Sequence, residues 1–249
     1  MKRSFSLITI VSFVILGAPS AKAEVHMCFG KPATIVGTSG DDILQGTDGA
    51  DVIVGLKGSD FIWGHAGRDL ICGGRGDDGS YLPSRGVGEL NGGLGSDKIS
   101  GGRGNDEING GFIGNPVDDP GPADTLNGNA GDDHICDNAC YQNSYQSVDT
   151  GDDRLAGGPG NDIISSTGGD DHQRGGPGND VMGAQLFRCD PSCVEEVTVD
   201  TGSDVYFAGS GEDTITASDG IGHNDRVDGG LDADMCTADP GDVLLNCEG

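Results

Sequence analysis

The sequence predicts an all-β fold: a right-handed parallel β-roll with disulfide-stapled ends and decorated turns. Three observations predict it. An aspartate recurs every nine residues through most of the chain, with a glycine two residues before it and an apolar residue two after. Composition leaves little room for an alternative, with 47 Gly, 10 Pro and a net charge of -27 in 249 residues. Leu, Ile, Val and Phe supply about 19% of residues 24–249, under the roughly 20% below which a strongly charged chain is expected to be disordered. Glycine also carries the largest backbone entropy cost on ordering. An ordinary globular core is therefore excluded, and something other than burial must stabilise the chain.

Residues 1–23 read as a signal peptide. Met1, Lys2 and Arg3 give a positive start, residues 6–18 an apolar run, and Ala21-Lys22-Ala23 a cleavage pattern. The run is too short to span roughly 30 Å of hydrocarbon, so no membrane span is expected. Loss of Lys2, Arg3 and Lys22 would leave a net charge of about -30, which excludes nucleic acid and anionic membranes as partners. The expected location is secreted, extracellular or periplasmic. Residues 24–36 form an N-terminal cap.

The repeat occupies residues 37–236. It opens GTSGDDILQ, GTDGADVIV, GLKGSDFIW, GHAGRDLIC and GGRGDD, placing Asp42, Asp51, Asp60, Asp69 and Asp78 at intervals of nine. The frame returns at Asp97 and Asp106, at Asp124 and Asp133, and at Asp153, Asp162, Asp171 and Asp180, and closes with Asp204, Asp213, Asp225 and Asp234. Two residues after the aspartates stand Leu44, Ile53, Ile62, Ile71, Ile99, Ile108, Leu126, Ile135, Leu155, Ile164, Met182, Ile215 and Val227. A Gly-rich turn followed by a very short strand accounts for each nonapeptide. Two nonapeptides make one 18-residue coil, and residues i and i+18 then stack along an edge. Asp42 falls over Asp60, Asp51 over Asp69, Asp60 over Asp78, Asp153 over Asp171, and Asp162 over Asp180. At a strand spacing near 4.8 Å these carboxylates repel unless a cation lies between them. Carboxylates and turn carbonyls are hard oxygen donors, which suit Ca2+ better than the stricter Mg2+.

The segments GGLGSDKIS at 92–100, GGRGNDEIN at 101–109, GGPGNDIIS at 157–165 and GGPGNDVMG at 175–183 resemble the RTX, or hemolysin-type, calcium-binding nonapeptide family, whose consensus is G-G-x-G-x-D-x-U-x with U apolar. The resemblance implies several Ca2+ ions between stacked turns, held by main-chain carbonyls of the glycine positions and by the sixth-position aspartates. Carried over position by position, the ligands are Asp42, Asp51, Asp60, Asp69, Asp78, Asp97, Asp106, Asp133, Asp153, Asp162, Asp171, Asp180, Asp204 and Asp213.

The frame weakens where Ser80 follows Asp78 in the apolar column, where Gln173 does so after Asp171, and where Asn115 stands in place of an aspartate. Asp124 lacks the turn glycines, and His223 and Asp232 replace the glycine before Asp225 and Asp234; calcium is expected to be weak or missing there. Spacings of 19, 20 and 24 residues, from Asp78 to Asp97, Asp133 to Asp153 and Asp180 to Asp204, read as one coil plus a bulged turn. Insertions are expected near 79–91, 110–123, 137–148, 184–199 and 216–224, on a single roll of about eleven coils and about 50 Å.

Eight cysteines in an exported chain suggest disulfides. Local pairing joins Cys136 with Cys140, Cys189 with Cys193, and Cys236 with Cys247, leaving Cys28 with Cys72. The last two would close the ends of the roll, where terminal coils need caps, and residues 237–249 form the C-terminal cap. Zinc bound by Cys136, Cys140, Cys189, Cys193 and His134 is the alternative.

No enzyme is expected. No H-E-x-x-H or G-x-S-x-G motif is present, and residues 24–36 leave no space for a catalytic domain before the repeats. The competing reading is a carbohydrate-active enzyme, a polysaccharide lyase or epimerase on a parallel β scaffold, using Asp118, Asp119 and Asp124 near Tyr141 and Tyr145. The expected function is a secreted calcium-binding protein whose roll folds on Ca2+ binding. Its role would be structural, adhesive or interactive, with an extracellular polysaccharide, cell surface or protein as partner.

Overall fold

A computed structural model describes residues 24–79, 89–111, 123–138, 151–183, 202–218 and 224–248. The leader and most of each expected insertion lie outside the described residues. Among the described residues no helix is long and apolar enough to cross a membrane. Strands alternate between two parallel sheets, one of ten strands and one of nine. The ten-stranded sheet runs from Ile35–Val36 through Val52–Lys57, Leu70–Arg75, Lys98–Arg103, Thr125–Ala130, Arg154–Ala156, His172–Pro177, Val205–Ser210 and Arg226–Leu231 to Val243–Leu245. Strands such as Ile43–Gln45, Phe61–Trp63, Glu107–Gly111, Ile163–Ser165 and Met235–Ala238 build the other. This is the expected parallel β-roll, with nine to ten coils rather than about eleven and a length of about 45 Å.

The single apolar residue per nonapeptide suffices because both sheets face one narrow interior. Ile53, Ile71, Ile99, Leu126 and Leu155, then Tyr206 and Val227 beyond Gln173, stack in register from one side, and Ile62, Ile108, Ile135, Ile164, Met182 and Ile215 from the other. All are essentially inaccessible to solvent. One position departs from expectation. Leu90, between Ile62 and Ile108, fills the core position assigned to Ser80, because the chain leaves the coil at Gly79 and rejoins it at Glu89. Gln173 does lie in the core, where its amide donates to Ser166 Oγ at 2.7 Å.

Where the frame breaks, the structure divides the coil differently from the one coil plus a bulge that the spacing implies. From Asp51 to Asp60, Asp69 to Asp78, Asp97 to Asp106, Asp124 to Asp133, Asp153 to Asp162, Asp171 to Asp180, Asp204 to Asp213 and Asp225 to Asp234, the half-coil through the ten-stranded sheet is nine residues every time. The half-coil through the nine-stranded sheet carries all the excess, with 19 residues from Asp78 to Asp97, 18 from Asp106 to Asp124, 20 from Asp133 to Asp153, 24 from Asp180 to Asp204 and 12 from Asp213 to Asp225. Each break is half a coil plus a loop, and every loop leaves from the same side of the roll. The frame survives because backbone pairing on both sides resumes in register, and a surface loop costs little entropy to lengthen.

Both end disulfides are present, Cys28–Cys72 and Cys236–Cys247. The antiparallel hairpin Met27–Cys28 with Lys31–Pro32 is fixed by the first bridge, and Cys28 packs there with Val54 and Leu70 on the outer side of the ten-stranded sheet. Cys136 is disulfide-bonded as well, which removes it as a thiolate ligand for zinc; Cys140, Cys189 and Cys193 lie outside the described residues. The Cys28–Cys72 link closes 44 residues and the Cys236–Cys247 link 11, and longer closed loops restrict the unfolded chain more. Replacing Cys28 and Cys72 by Ser is therefore expected to lower the unfolding free energy by about 2–4 kcal/mol, and more than replacing Cys236 and Cys247. Urea denaturation in calcium tests the order, and the reverse order contradicts it.

Candidate metal centre

Each turn brings its aspartate to the edge of the roll, and the coil stacks these into two rows. Asp42, Asp60, Asp78, Asp106, Asp133, Asp162, Asp180, Asp213 and Asp234 share one edge. In this row the backbone N–H of each donates to Oδ1 of the next at 2.6–3.0 Å. Asp51, Asp69, Asp97, Asp124, Asp153, Asp171, Asp204 and Asp225 share the other, linked in the same way at 2.6–2.9 Å. The five expected i, i+18 pairs are all found. The rows continue across every loop, so Asp69 meets Asp97 and Asp180 meets Asp213 despite separations of 28 and 33 residues.

Asp124, Asp225 and Asp234 are full members of these rows, although their missing turn glycines argued against them. Strand register, not the glycine, places the carboxylate. Asp232 takes the left-handed conformation of the missing glycine itself, at φ +84°. Asp124 is 2% exposed and bound into its row, which removes it from the cleft of the carbohydrate-active reading; Asp118, Asp119, Tyr141 and Tyr145 lie outside the described residues. Asp171 keeps its place in spite of Gln173.

The rows are not bare stacks of like charge. From the second member of each row onward, one oxygen of the carboxylate is satisfied by the main chain of the preceding coil. The other, Oδ2, is buried without a protein partner at Asp60, Asp69, Asp78, Asp106, Asp133, Asp162, Asp180, Asp213 and Asp234. A buried polar atom left unpaired is costly, and a charged one more so. Burial is accordingly the main cause that raises Asp69, Asp133 and Asp180 to about 6, Asp78 and Asp162 to about 7 and Asp106 to about 8. The N–H of the neighbouring aspartate opposes the shift, and the charges of adjacent aspartates add to it.

The orphaned oxygens face main-chain carbonyls. A Cβ added to Gly64 would meet both the orphaned Asp69 Oδ2 and the Gly92 carbonyl oxygen. The same pairing of a carboxylate and the next coil's carbonyl covers Gly55, with Asp60 and Gly73, and Gly73, with Asp78 and Gly101. These first turn glycines are bare because any side chain would fill the space the oxygens surround. Among the described residues no three His, Cys, Asp or Glu side chains converge on one point, so an ion at these edges must draw on carbonyls as well as carboxylates. The donor set is all hard oxygen and fits Ca2+.

A second, outer ladder went unnoticed in the sequence. The residue before the aspartate accepts the N–H of its counterpart in the next coil. Ser59 donates to Asp41 Oδ1, Asn105 to Asp77, Asp132 to Asn105, Asn161 to Asp132 and Asn179 to Asn161, at 2.8–2.9 Å. These bonds run opposite to the inner ladder, so two side chains clamp consecutive turns from both directions. The visible signal was the recurrent Asp-Asp or Asn-Asp pair.

The model of a family described as RTX calcium-binding nonapeptide repeat (4 copies) matches residues 34–62, 45–79, 86–112, 123–136, 148–182 and 198–236, which together cover more than half of the chain. No curated protein matches the chain.

Proposed function

The chain belongs to the RTX calcium-binding nonapeptide repeat family, and from that premise we propose that it is a secreted protein whose β-roll folds when Ca2+ binds at its turns, serving a structural, adhesive or interaction role. The ligands are the carboxylates of the fourteen aspartates carried over from the repeat, from Asp42 to Asp213, joined by Asp124, Asp225 and Asp234 and by the turn carbonyls. The observation that supports this reading is the buried Oδ2 left without a partner at turn after turn. A cation held there offsets the desolvation of the carboxylates only once the coils are stacked, so binding and folding share one free energy. Extracellular modules commonly bind Ca2+ at about 0.1–1 mM, which would leave the chain loose in a low-calcium cytosol and rigid outside.

Far-UV circular dichroism tests this. On titration with Ca2+ the strand signal is expected to rise cooperatively, and EGTA is expected to return it to the lower level of the less stable calcium-free chain. Full strand content in EGTA would refute coupled folding.

A further inference from the structure

The loops all leave from the side of the nine-stranded sheet, and on the outer face of that sheet lies a group of buried and half-buried polar side chains that the turns do not use. Leu90 and Ile108 point into the core, so alternation along the strand turns Glu89, Asn91, Glu107 and Asn109 outward. Asn91 and Asn109 are register partners in adjacent strands, which sets Glu89 beside Glu107. Outward positions on the opposite sheet, such as Lys98 and Arg154, are exposed. Here Glu107 is 7% and Asn109 1% exposed.

Their hydrogen bonding is incomplete. The Asn91 and Asn109 amide nitrogens both donate to Glu89 Oε2, at 3.0 and 2.8 Å. Glu107 Oε1, Asn91 Oδ1 and Asn109 Oδ1 are buried without any partner. No Lys or Arg pairs with either glutamate among the described residues. His134, the register partner of Glu107, lies with Nε2 3.8 Å from Cys136 Sγ. Burial, and the Glu89 charge next to it, raise Glu107 to about 8.

We propose that Glu89, Asn91, Glu107 and Asn109 form a Ca2+ site on the outer face of the nine-stranded sheet, separate from the turn rows. Two carboxylates and two amide oxygens supply up to six hard oxygen donors, the lower end of the coordination number Ca2+ takes. A side-chain amide presents oxygen or nitrogen at nearly the same place, so a half-turn of each Asn exchanges them. That places Oδ1 where the nitrogens now lie. The 2.8 and 3.0 Å separations from Glu89 Oε2 then become oxygen–oxygen edges of the size expected around an ion with ligands at about 2.3–2.6 Å. The site joins two adjacent strands, one that the chain enters after the departure at Gly79 and one that ends at the departure after Gly111, so it would tie down the face from which the loops leave.

Counting bound Ca2+ in the full chain by native mass spectrometry tests the site. The Glu89→Gln, Glu107→Gln double variant is expected to keep its calcium-induced strand signal and to bind one ion fewer. An unchanged count overturns this site. Asp60→Asn reports on the turns in the same assay, so failure of one proposal is distinguishable from failure of the other. If the double variant does not fold, Asn109→Asp decides. An added carboxylate tightens calcium binding several-fold if an ion sits between these groups, and lowers the thermal midpoint in saturating calcium if none does.

Discussion

Asp78→Asn is expected to stabilise the chain without calcium and destabilise it with calcium. Asp78 is fully buried, with Oδ1 accepting the Asp60 N–H at 2.9 Å and Oδ2 unpaired. Asparagine preserves the first interaction, since its Oδ1 is also an acceptor. It removes a charge that burial, and then the charges of Asp60 and Asp77, hold at about 7. Its amide nitrogen would face the Gly101 carbonyl, as a donor in place of a repelling anion. In the absence of the ion the substitution therefore relieves strain in the row. In its presence a charged ligand is lost, and interactions with charged groups are each worth about 1.5–3 kcal/mol, or about tenfold to a hundredfold in the calcium midpoint. Thermal denaturation of both proteins, after calcium-free dialysis and in excess Ca2+, should give midpoint differences of opposite sign. Unchanged midpoints in both conditions would mean that Asp78 does nothing but accept its hydrogen bond, and a loss in the calcium-free protein would contradict the expected relief.

Without calcium, stability is expected to fall as pH rises from about 4 to about 8. The sign follows from proton binding. Unfolded aspartate titrates near 3.9, whereas Asp78 and Asp162 titrate at about 7 and Asp106 at about 8 in the roll. Between those values the folded state holds protons that the unfolded state has lost, and stability then decreases with pH. The contribution is fully present below about pH 4 and gone above the folded values. Self-repulsion from the net charge of -27 acts in the same direction, but exposed carboxylates complete their titration by about pH 5, so continued loss between 6 and 8 reports the buried rows. Calcium affinity should climb across that interval, with proton release seen by calorimetry in buffers of different ionisation enthalpy. A flat or rising thermal midpoint from pH 5 to 8 in the calcium-free protein would contradict this.

The inner aspartates, the core stripe and the end disulfides were legible from spacing. A period of nine, doubled to eighteen, forces Asp42 over Asp60 and Ile53 over Ile71, because strand hydrogen bonding permits one register. The errors arose where spacing was read as a local property. Asp124 and Asp234 lack a neighbouring glycine, yet the strands that follow them pin the carboxylate in its row regardless, and Asp232 adopts the left-handed turn conformation without one. Ser80 was assigned to a core position that Leu90 fills, because loop length hides which later residue resumes the coil. Repulsion between stacked carboxylates was overstated, since the donated N–H of the preceding coil has no signature in side-chain identity.

The sequence by itself determined the all-β repeat, the two acidic edges and the oxygen chemistry directed at calcium, for each follows from a period and a composition. Only the tertiary structure decided that the half-coil through one sheet is constant at nine residues while the other releases every loop. It also decided which carboxylate oxygens are orphaned, and it gathered Glu89, Asn91, Glu107 and Asn109 on one face. The physical reason is that a nonapeptide encodes its own turn and strand, whereas adjacency across a loop of unknown length is settled by the backbone pairing of strands far apart in the chain.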